Sequence, residues 1–154
     1  MNEEKELNFE QAKDKALRLL EFRSHSEKEL SDKLKRAGAK SEDIEEILEF
    51  CRRYKFVNDE EFAKRKAKDL YNLKKYGKAR IKQELYSLGI SGEYIENAIS
   101  EIEFDPERLV PLIRKRLGGD FEKKSIDKCI RYFLYRGYSL SEIKECIQEI
   151  QNDY

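Results

Sequence analysis

The amino-acid sequence predicts an all-α protein of three tandem three-helix repeats, nine helices in all, stacked into an elongated, curved body. Three observations lead to this prediction. Valine and proline each occur twice in 154 residues, while leucine, isoleucine, glutamate and lysine dominate, which is typical of helices. Helix-start signals recur along the chain, and apolar residues repeat around three widely spaced glycines.

Capping motifs mark the helix starts. Ser26 followed by Glu29 is a capping box, in which the hydroxyl accepts from the N3 amide and the carboxylate returns to the serine N–H. The same spacing recurs at 58–61 and 139–142, and 105–106 combines an aspartate N-cap with a proline at the first helical position. With the apolar periodicity, these signals predict helices at about 9–22, 27–37, 42–54, 59–75, 78–88, 92–102, 106–117, 121–136 and 140–152.

An internal repeat becomes visible when Gly38, Gly89 and Gly137, which are 51 and 48 residues apart, are aligned. Six positions at fixed offsets from each glycine are apolar in all three segments, although only 39% of the chain is hydrophobic. These 18 residues are Leu30, Leu34, Ile44, Ile47, Leu48 and Cys51; Ile81, Leu85, Ile95, Ala98, Ile99 and Ile102; and Cys129, Phe133, Ile143, Cys146, Ile147 and Ile150.

The repeat unit is a leading helix, a second helix, a glycine turn and a third helix. We place the three repeats at 1–58, 59–104 and 105–154. Each glycine lies just past a helix end, where a positive φ is needed to close the turn. Because one triplet of helices buries little apolar surface, we expect the three repeats to be stable only when stacked.

The composition argues against a catalytic or metal-binding protein. Cys51, Cys129 and Cys146 are odd in number and far apart, and His25 is the only histidine. A zinc site of cysteine and histidine would need all four of these residues, so we expect three core thiols, no disulfide, no metal and no cofactor. No glycine-rich phosphate loop and no paired nucleophile and base occur, so we expect no enzymatic activity.

The sequence gives no sign of a membrane location. No apolar run approaches the roughly 18 residues that span a bilayer, and the segment 1–10 is too acidic for a signal peptide. We therefore expect a soluble, cytoplasmic protein.

Charge is sorted along a chain whose formal net charge is zero. The segment 64–82 has nine basic residues and one acidic residue, 83–107 has seven acidic residues and no basic one, and 108–136 has nine basic against three acidic. Opposite potentials should therefore occupy different surfaces. The predicted fourth helix also carries Lys64, Lys68, Tyr71 and Lys75 on one face.

Basic residues interleaved with tyrosines are typical of surfaces that meet phosphates and single-stranded bases. The alternative interpretation is an ordinary solvated face. We favour nucleic-acid binding at two basic clusters. The first consists of Lys74, Lys75, Lys78, Arg80 and Lys82. A second contact is formed by Arg114, Lys115 and Arg116.

Several motifs resemble those of the RecX family of regulatory proteins, which modulate the RecA recombinase. The resemblance extends over nearly the whole chain. It is carried by Arg23-Ser24 with Glu29-Leu30 and Gly38, by Asp59-Glu60-Glu61-Phe62-Ala63, by Gly77 with Arg80-Ile81, Glu84-Leu85 and Gly89-Ile90, and by Arg136-Gly137-Tyr138-Ser139 with Ile143. One departure is visible, because 55–58 reads Lys-Phe-Val-Asn where the family usually has a glycine.

The resemblance implies three tandem three-helix repeats that bind the RecA–single-stranded DNA filament along its groove. Family members inhibit strand exchange, ATP hydrolysis and co-protease activity, with weak, sequence-independent DNA contacts from basic residues. We accordingly expect RecA and single-stranded DNA as partners of a monomeric protein. Two other functions remain open, a helix-turn-helix regulator with a defined duplex site and a helical-repeat adaptor that does not bind nucleic acid.

The cysteine pattern generates a first prediction. Elemental analysis of the purified protein should find no stoichiometric zinc, and mild reduction should leave the thermal midpoint unchanged, because no thiol is expected to ligate a metal or form a disulfide. Stoichiometric zinc, or a midpoint that drops on reduction, would contradict this interpretation.

Overall fold

Nine α-helices follow one another along the described part of the chain. The structure is a computed structural model that describes residues 6–154; residues 1–5, which belong to the predicted first repeat and to the acidic start of the chain, lie outside the described residues. The helices are α1 Phe9–Phe22, α2 Glu27–Arg36, α3 Ser41–Arg53, α4 Asp59–Asn72, α5 Lys78–Ser87, α6 Gly92–Ser100, α7 Leu109–Leu117, α8 Lys123–Tyr135 and α9 Leu140–Asn152, with a 3₁₀ turn at Pro106–Arg108. From residue 6 to residue 154 no strand occurs, which confirms the all-α class.

The predicted caps form at the helix starts. Ser26 and Ser139 each accept from the amide three residues later, and Glu29 and Glu142 return to the serine N–H, so both capping boxes are complete. Asp105 accepts from the Glu107 amide and precedes the proline of the 3₁₀ turn. Local capping chemistry therefore fixes where these helices begin.

The fourth helix is shorter than predicted. We expected it to reach residue 75, but α4 ends at Asn72. Lys75 adopts a positive φ of 58°, and the Tyr76 amide donates to the Leu70 carbonyl at 3.1 Å, which closes the helix end. Lys75 consequently lies in the α4–α5 loop, and its predicted place on the helical face of Lys64 and Lys68 is wrong.

The described chain divides into two units, each with its own apolar cluster. The first runs to Lys66 and adds Leu85–Ala98, and the second contains Ala67–Glu84 and Ile99–Tyr154. In the first unit, α1, α2 and α3 pack together around Ala12, Ala16, Leu30, Leu34, Ile44, Ile47, Leu48, Cys51 and Val57. In the second, α7, α8 and α9 pack around Leu109, Ile113, Leu117, Cys129, Phe133, Ile143, Cys146, Ile147 and Ile150.

The apolar positions of the internal repeat are the positions that the fold buries. Of these 18 aligned positions, 17 are buried, and Ile102 is half-buried. The three aligned glycines have positive φ angles of 98°, 79° and 99° at residues 38, 89 and 137. The glycine turns predicted from the alignment are thereby confirmed.

A lysine adopts the conformation expected of a glycine at the one departure from the family pattern. Lys55 has a φ of 58°, and the next amide, of Phe56, donates to the Cys51 carbonyl at 2.8 Å. This is the hydrogen bond of a left-handed helix cap. The turn after α3 therefore keeps its geometry without a glycine.

In the first unit, the glycine turn at the end of α5 packs against the start of α2. The Ser26 hydroxyl donates to the Leu88 carbonyl at 2.7 Å, and Lys28 Nζ donates to the Ser87 carbonyl at 3.3 Å. A Cβ atom on Gly89 would lie 2.4 Å from the Lys28 Cβ. Gly89 therefore needs both its positive φ and the absence of a side chain.

The second unit contains the same kind of contact between the α8–α9 turn and the start of α5. The Gly77 amide donates to the Arg136 carbonyl at 2.8 Å, and the Ala79 amide donates to the Gly137 carbonyl at 3.2 Å. A Cβ on Gly137 would lie 2.3 Å from the Arg80 amide nitrogen, and one on Gly77 would lie 2.5 Å from Gly137 backbone atoms. The two glycines allow the two backbones to touch.

Two further features of the described residues bear on function. None of the helices between residues 6 and 154 is long and apolar enough to span a bilayer. Over the same residues, no group of three or more histidine, cysteine, aspartate or glutamate side chains is arranged to hold a metal ion.

His25 is buried in the first unit, with a side chain only 1% exposed. Its Nε2 atom lies 2.8 Å from Lys33 Nζ and its Nδ1 atom lies 2.9 Å from the Arg23 carbonyl oxygen. Because an ammonium group can only donate, Nε2 accepts and Nδ1 carries the proton. Burial is the main cause that lowers the pKa of His25 below its ordinary value of 6.5. The charges of Arg23 and Lys33 act in the same direction, and the hydrogen bond to the Arg23 carbonyl and the charge of Glu29 oppose them.

The glycine contact in the first unit predicts a large effect of one methyl group. Gly89→Ala should lower the free energy of unfolding by at least about 1 kcal/mol, because alanine is strained at this φ and its Cβ would overlap Lys28. Gly92→Ala is the matched control, since nothing lies within 4 Å of a Cβ there. Equal urea midpoints for the two variants would contradict the contact.

Burial of His25 predicts that stability falls on mild acidification. The pKa of His25 is lower in the folded state than in the unfolded state, so the unfolded chain binds the proton more tightly. The contribution of His25 to the free energy of unfolding is therefore complete above pH 6.5 and declines as the pH drops below it. The slope cannot exceed about 1.4 kcal/mol per pH unit for one proton. Urea unfolding at pH 7.5, 6.5 and 5.5 should show a steeper decline for the natural protein than for His25→Gln, and identical slopes would refute the prediction.

Candidate nucleic-acid interface

All eight basic residues singled out by the sequence lie in the second unit. Lys74 and Lys75 are in the α4–α5 loop, Lys78, Arg80 and Lys82 follow along α5, and Arg114, Lys115 and Arg116 form the last turn of α7. All are exposed to solvent except Arg80 and Lys82, which are half-buried.

The loop that carries Lys74 and Lys75 is held in place by side chains from the α8–α9 turn. The Arg136 guanidinium donates to the Lys74 carbonyl, and the Tyr138 hydroxyl donates to the Lys75 carbonyl at 2.7 Å. Burial raises the pKa of Tyr138, so its phenol remains a donor at neutral pH. The loop backbone is therefore fixed while both lysine side chains remain exposed.

Arginine and tyrosine side chains alternate along this part of the second unit. The order is Arg116, Tyr132, Arg136, Tyr76, Arg80 and Tyr135, and we call this set the arginine–tyrosine ladder. Successive guanidinium-to-ring-centroid distances are 3.7, 5.5, 4.9, 4.8 and 4.7 Å. A guanidinium over an aromatic face contributes about 0.5–2 kcal/mol, depending on its exposure.

Arg80 has a fixed position within the ladder. Its Nε donates to Glu84 at 2.8 Å, its Nη1 donates to the Tyr135 carbonyl at 3.1 Å, and its side chain is only 16% exposed. The hydrogen bond to Glu84 is the main cause that raises the pKa of Arg80, so the guanidinium is always charged. Because these donors already form hydrogen bonds, Arg80 is better suited to hold neighbouring rings in position than to bind a phosphate.

Three of the eight predicted residues, Lys75, Lys115 and Arg116, line one common groove. Lys75 from the α4–α5 loop, Lys115 and Arg116 from α7 and Arg136 from α8–α9 line a depression of about 480 Å³ together with Leu112, Tyr132 and Phe133. Four of the seven lining residues are cationic and none is acidic. Such a groove attracts phosphates, because like charges in a concave surface add their potentials.

Other predicted residues point to different surroundings. Lys78 Nζ lies 5.9 Å from the Phe104 ring centroid and lines a second depression that also contains Asp105 and Glu142. Arg114 forms an ion pair with Asp153 at 3.1 Å. These residues do not line the groove, so the structure separates them from Lys75, Lys115 and Arg116.

Two of the four basic residues of the fourth helix lie close to acidic side chains. Lys64 lies 3.8 Å from Glu60 and 3.9 Å from Glu61, and Lys68 lies 4.0 Å from Glu101. Surface pairs of this kind contribute little stability, but they reduce the local positive potential. The segment of highest net charge in the sequence is therefore less basic in space than along the chain.

Sequence reasoning missed the tyrosines and one arginine of the site. In the sequence, Arg136 stands out only as part of a family motif, and Tyr76, Tyr132 and Tyr135 are absent from the predicted contacts. A weak signal was present, because Tyr132, Tyr135 and Arg136 recur at helical spacing in the second basic segment. Their alternation with Arg80 and Arg116 depends on contacts between distant segments, which a single sequence does not reveal.

The chain matches family models over most of its first two thirds. Residues 12–51 match the family model described as the RecX first three-helix domain, and residues 58–99 match the RecX second three-helix domain.

Full-length relatives are similar over most of the chain. A regulatory protein RecX from Clostridioides difficile is 34% identical over 146 residues, covering 92% of this chain and 68% of the relative. That of Salmonella typhimurium is 35% identical over 147 residues, covering 86% of this chain and 87% of the relative.

A solved structure has the same fold. The crystal structure of RecX from Lactobacillus salivarius superposes with a TM-score of 0.74 at 23% identity, covering 93% of this chain and 96% of that one. The matched domains, the relatives and the fold agree, and the chain belongs to the RecX family.

Proposed function

We propose that this protein binds the RecA–single-stranded DNA filament and inhibits its strand exchange, ATP hydrolysis and co-protease activities. Membership of the RecX family supports the regulatory role, since the curated relatives are named regulatory proteins. The observation that carries the DNA contact is the acid-free groove of Lys75, Lys115, Arg116 and Arg136. Phosphates of the filament's DNA occupy this groove, without regard to base sequence.

The contact with DNA concentrates the protein on the filament. Electrostatic attraction to phosphates is long-ranged and weakens steeply with salt, so it supplies local concentration more than specificity. Inhibition then comes from protein contacts with RecA made by a chain already located on the DNA. The protein acts in this way as a monomer in the cytoplasm, where RecA filaments form.

Regulation proceeds without catalysis by this chain. The only histidine is buried with both ring nitrogens engaged, so it is not available as a general base. The three cysteines are buried, and burial raises the pKa of each thiol, that of Cys146 to about 11. Thiols of this kind are poor nucleophiles at neutral pH. These features support a binding protein.

The direct test is RecA-catalysed ATP hydrolysis on single-stranded DNA, measured with increasing amounts of this protein. Hydrolysis should fall to a low plateau. A helix-turn-helix regulator would bind a duplex that carries its preferred sequence more tightly than single strands of random sequence. For this protein we expect no such duplex to compete better than the single strands. Hydrolysis that is unchanged at saturating protein would refute the proposed inhibition.

The groove predicts a specific change in salt dependence. The double variant Lys75→Gln, Lys115→Gln should bind oligo(dT) more weakly, and the slope of log affinity against log salt should become shallower by about 1.4, because each lost phosphate contact on a single strand removes about 0.7. The same variant should need a higher concentration to inhibit RecA.

A matched control removes two exposed lysines elsewhere. Lys15→Gln, Lys144→Gln produces the same change in net charge, and both residues are exposed outside the groove. Lys13 is unsuitable, because its ammonium lies 4.2 Å from the Phe50 ring centroid and a substitution would disturb packing. If both double variants change the slope equally, the groove is an ordinary charged surface.

A further inference from the structure

Tyr135 lies at the end of the arginine–tyrosine ladder and is the last residue of α8. Its side chain is 74% exposed, which is unusual for a large aromatic ring. The Arg80 guanidinium lies 4.7 Å from the ring centroid, and the same group donates to the Tyr135 carbonyl at 3.1 Å. The ring is therefore supported on one side by a fixed cation and open on the other.

The other two rings of the ladder are occupied. Tyr76 contacts the guanidinium groups of both Arg80 and Arg136, and Tyr132 contacts those of both Arg116 and Arg136. Tyr135 contacts one guanidinium group of the ladder. An added planar group can thus stack at Tyr135 without displacing an arginine.

The exposed ring is continuous with the phosphate-binding groove. Arg116, Tyr132 and Arg136 belong both to the groove and to the ladder, and the ladder leads from them through Tyr76 and Arg80 to Tyr135. A strand whose phosphates lie in the groove can therefore extend along the ladder toward Tyr135. Single strands differ from duplexes in that their bases are free to stack on protein rings.

Support by an arginine makes the ring a suitable stacking surface. A guanidinium on one face of a phenol withdraws electron density from the ring and holds its orientation, so little side-chain freedom is lost when a base stacks on the other face. Tyr154 is equally exposed but lacks this arrangement, because its ring packs edge-on against Phe121 at 5.3 Å.

We propose that Tyr135 is the stacking platform for one nucleobase of the single strand whose phosphates occupy the groove. This inference rests on the proposed function, because it needs the strand in the groove. The Tyr135 ring would contact a base, whereas the lysines and arginines of the groove would contact only the phosphates of the strand. This contact also explains how a sequence-independent surface distinguishes a single strand from a duplex, since stacking requires an unpaired base and accepts any of the four.

The test compares two labelled strands that have identical phosphates. One is oligo(dT), and the other is an abasic strand of the same length, with affinities measured by fluorescence anisotropy. The natural protein should bind oligo(dT) roughly tenfold more tightly than the abasic strand. Tyr135→Leu should lose this preference by weakening only the binding of oligo(dT), while Tyr135→Phe should keep it. Tyr154→Leu, which removes another exposed ring of the second unit, should leave both affinities unchanged.

The salt dependence separates stacking from phosphate binding. Tyr135→Leu should bind oligo(dT) with an unchanged slope of log affinity against log salt, because no phosphate contact is lost. Equal affinity of the natural protein for both strands would overturn the stacking platform and leave the groove standing. Binding of neither strand would overturn the proposed DNA contact itself. Equal weakening of both strands by Tyr135→Leu would mean that the ring only supports the fold.

A fluorescent variant gives a readout that does not depend on removing the ring. The chain contains no tryptophan, so Tyr135→Trp introduces a single indole at the site. Oligo(dT) should quench its emission on stacking, whereas the abasic strand should bind without this quenching. Emission that responds equally to both strands, or to neither when both bind, would refute a base at this position.

Discussion

Much of the second unit depends on one backbone contact, the approach of Gly137 to the segment from Gly77 to Arg80. Two amide-to-carbonyl hydrogen bonds join these segments, and neither glycine has room for a Cβ atom. Because the two backbones touch, the residues beside them are also brought together. The Arg80 guanidinium donates to the Tyr135 carbonyl. The side chains of Arg136 and Tyr138 donate to backbone carbonyls of the α4–α5 loop. This contact positions the α4–α5 loop and the part of the ladder formed by Tyr76, Arg80 and Tyr135.

The same kind of contact occurs in the first unit with different chemistry. There the turn at Gly89 packs on the start of α2, and a serine hydroxyl, not a backbone amide, donates to the turn. At the remaining glycine turn, the Gly38 carbonyl accepts a hydrogen bond from the backbone amide of Leu7. A repeat protein needs a reproducible way to join successive elements, and here a glycine turn presenting its carbonyls to a neighbouring segment provides it. The turn geometry is constant while the donor varies.

The sequence was most informative where structure is local or periodic. Capping boxes located helix starts, and the aligned apolar positions identified buried residues with Ile102 as the half-buried exception. It failed at the end of α4, because a lysine at position 75 gives no sign that it will adopt a positive φ. The residues selected by the charge pattern all lie in the second unit, but the pattern did not separate Lys75 and Lys115 from Lys78 and Arg114. That separation depends on which acid or ring each side chain meets in space, which is a property of the fold.

The arginines and lysines of the site have different physical roles. The three arginines of the ladder lie against tyrosine rings, and Arg80 and Arg136 also donate to backbone carbonyls. A planar guanidinium can stack and donate at its edges at the same time, whereas a hydrated ammonium group cannot. The lysines at 75 and 115 remain exposed on flexible stems, which under the proposed function would let them contact an irregular phosphate backbone. The arginines therefore build a rigid support, and in the proposed complex the lysines would supply charge that can follow the strand. A surface made only of lysines would attract DNA equally well, but it would have nothing to hold the rings in place.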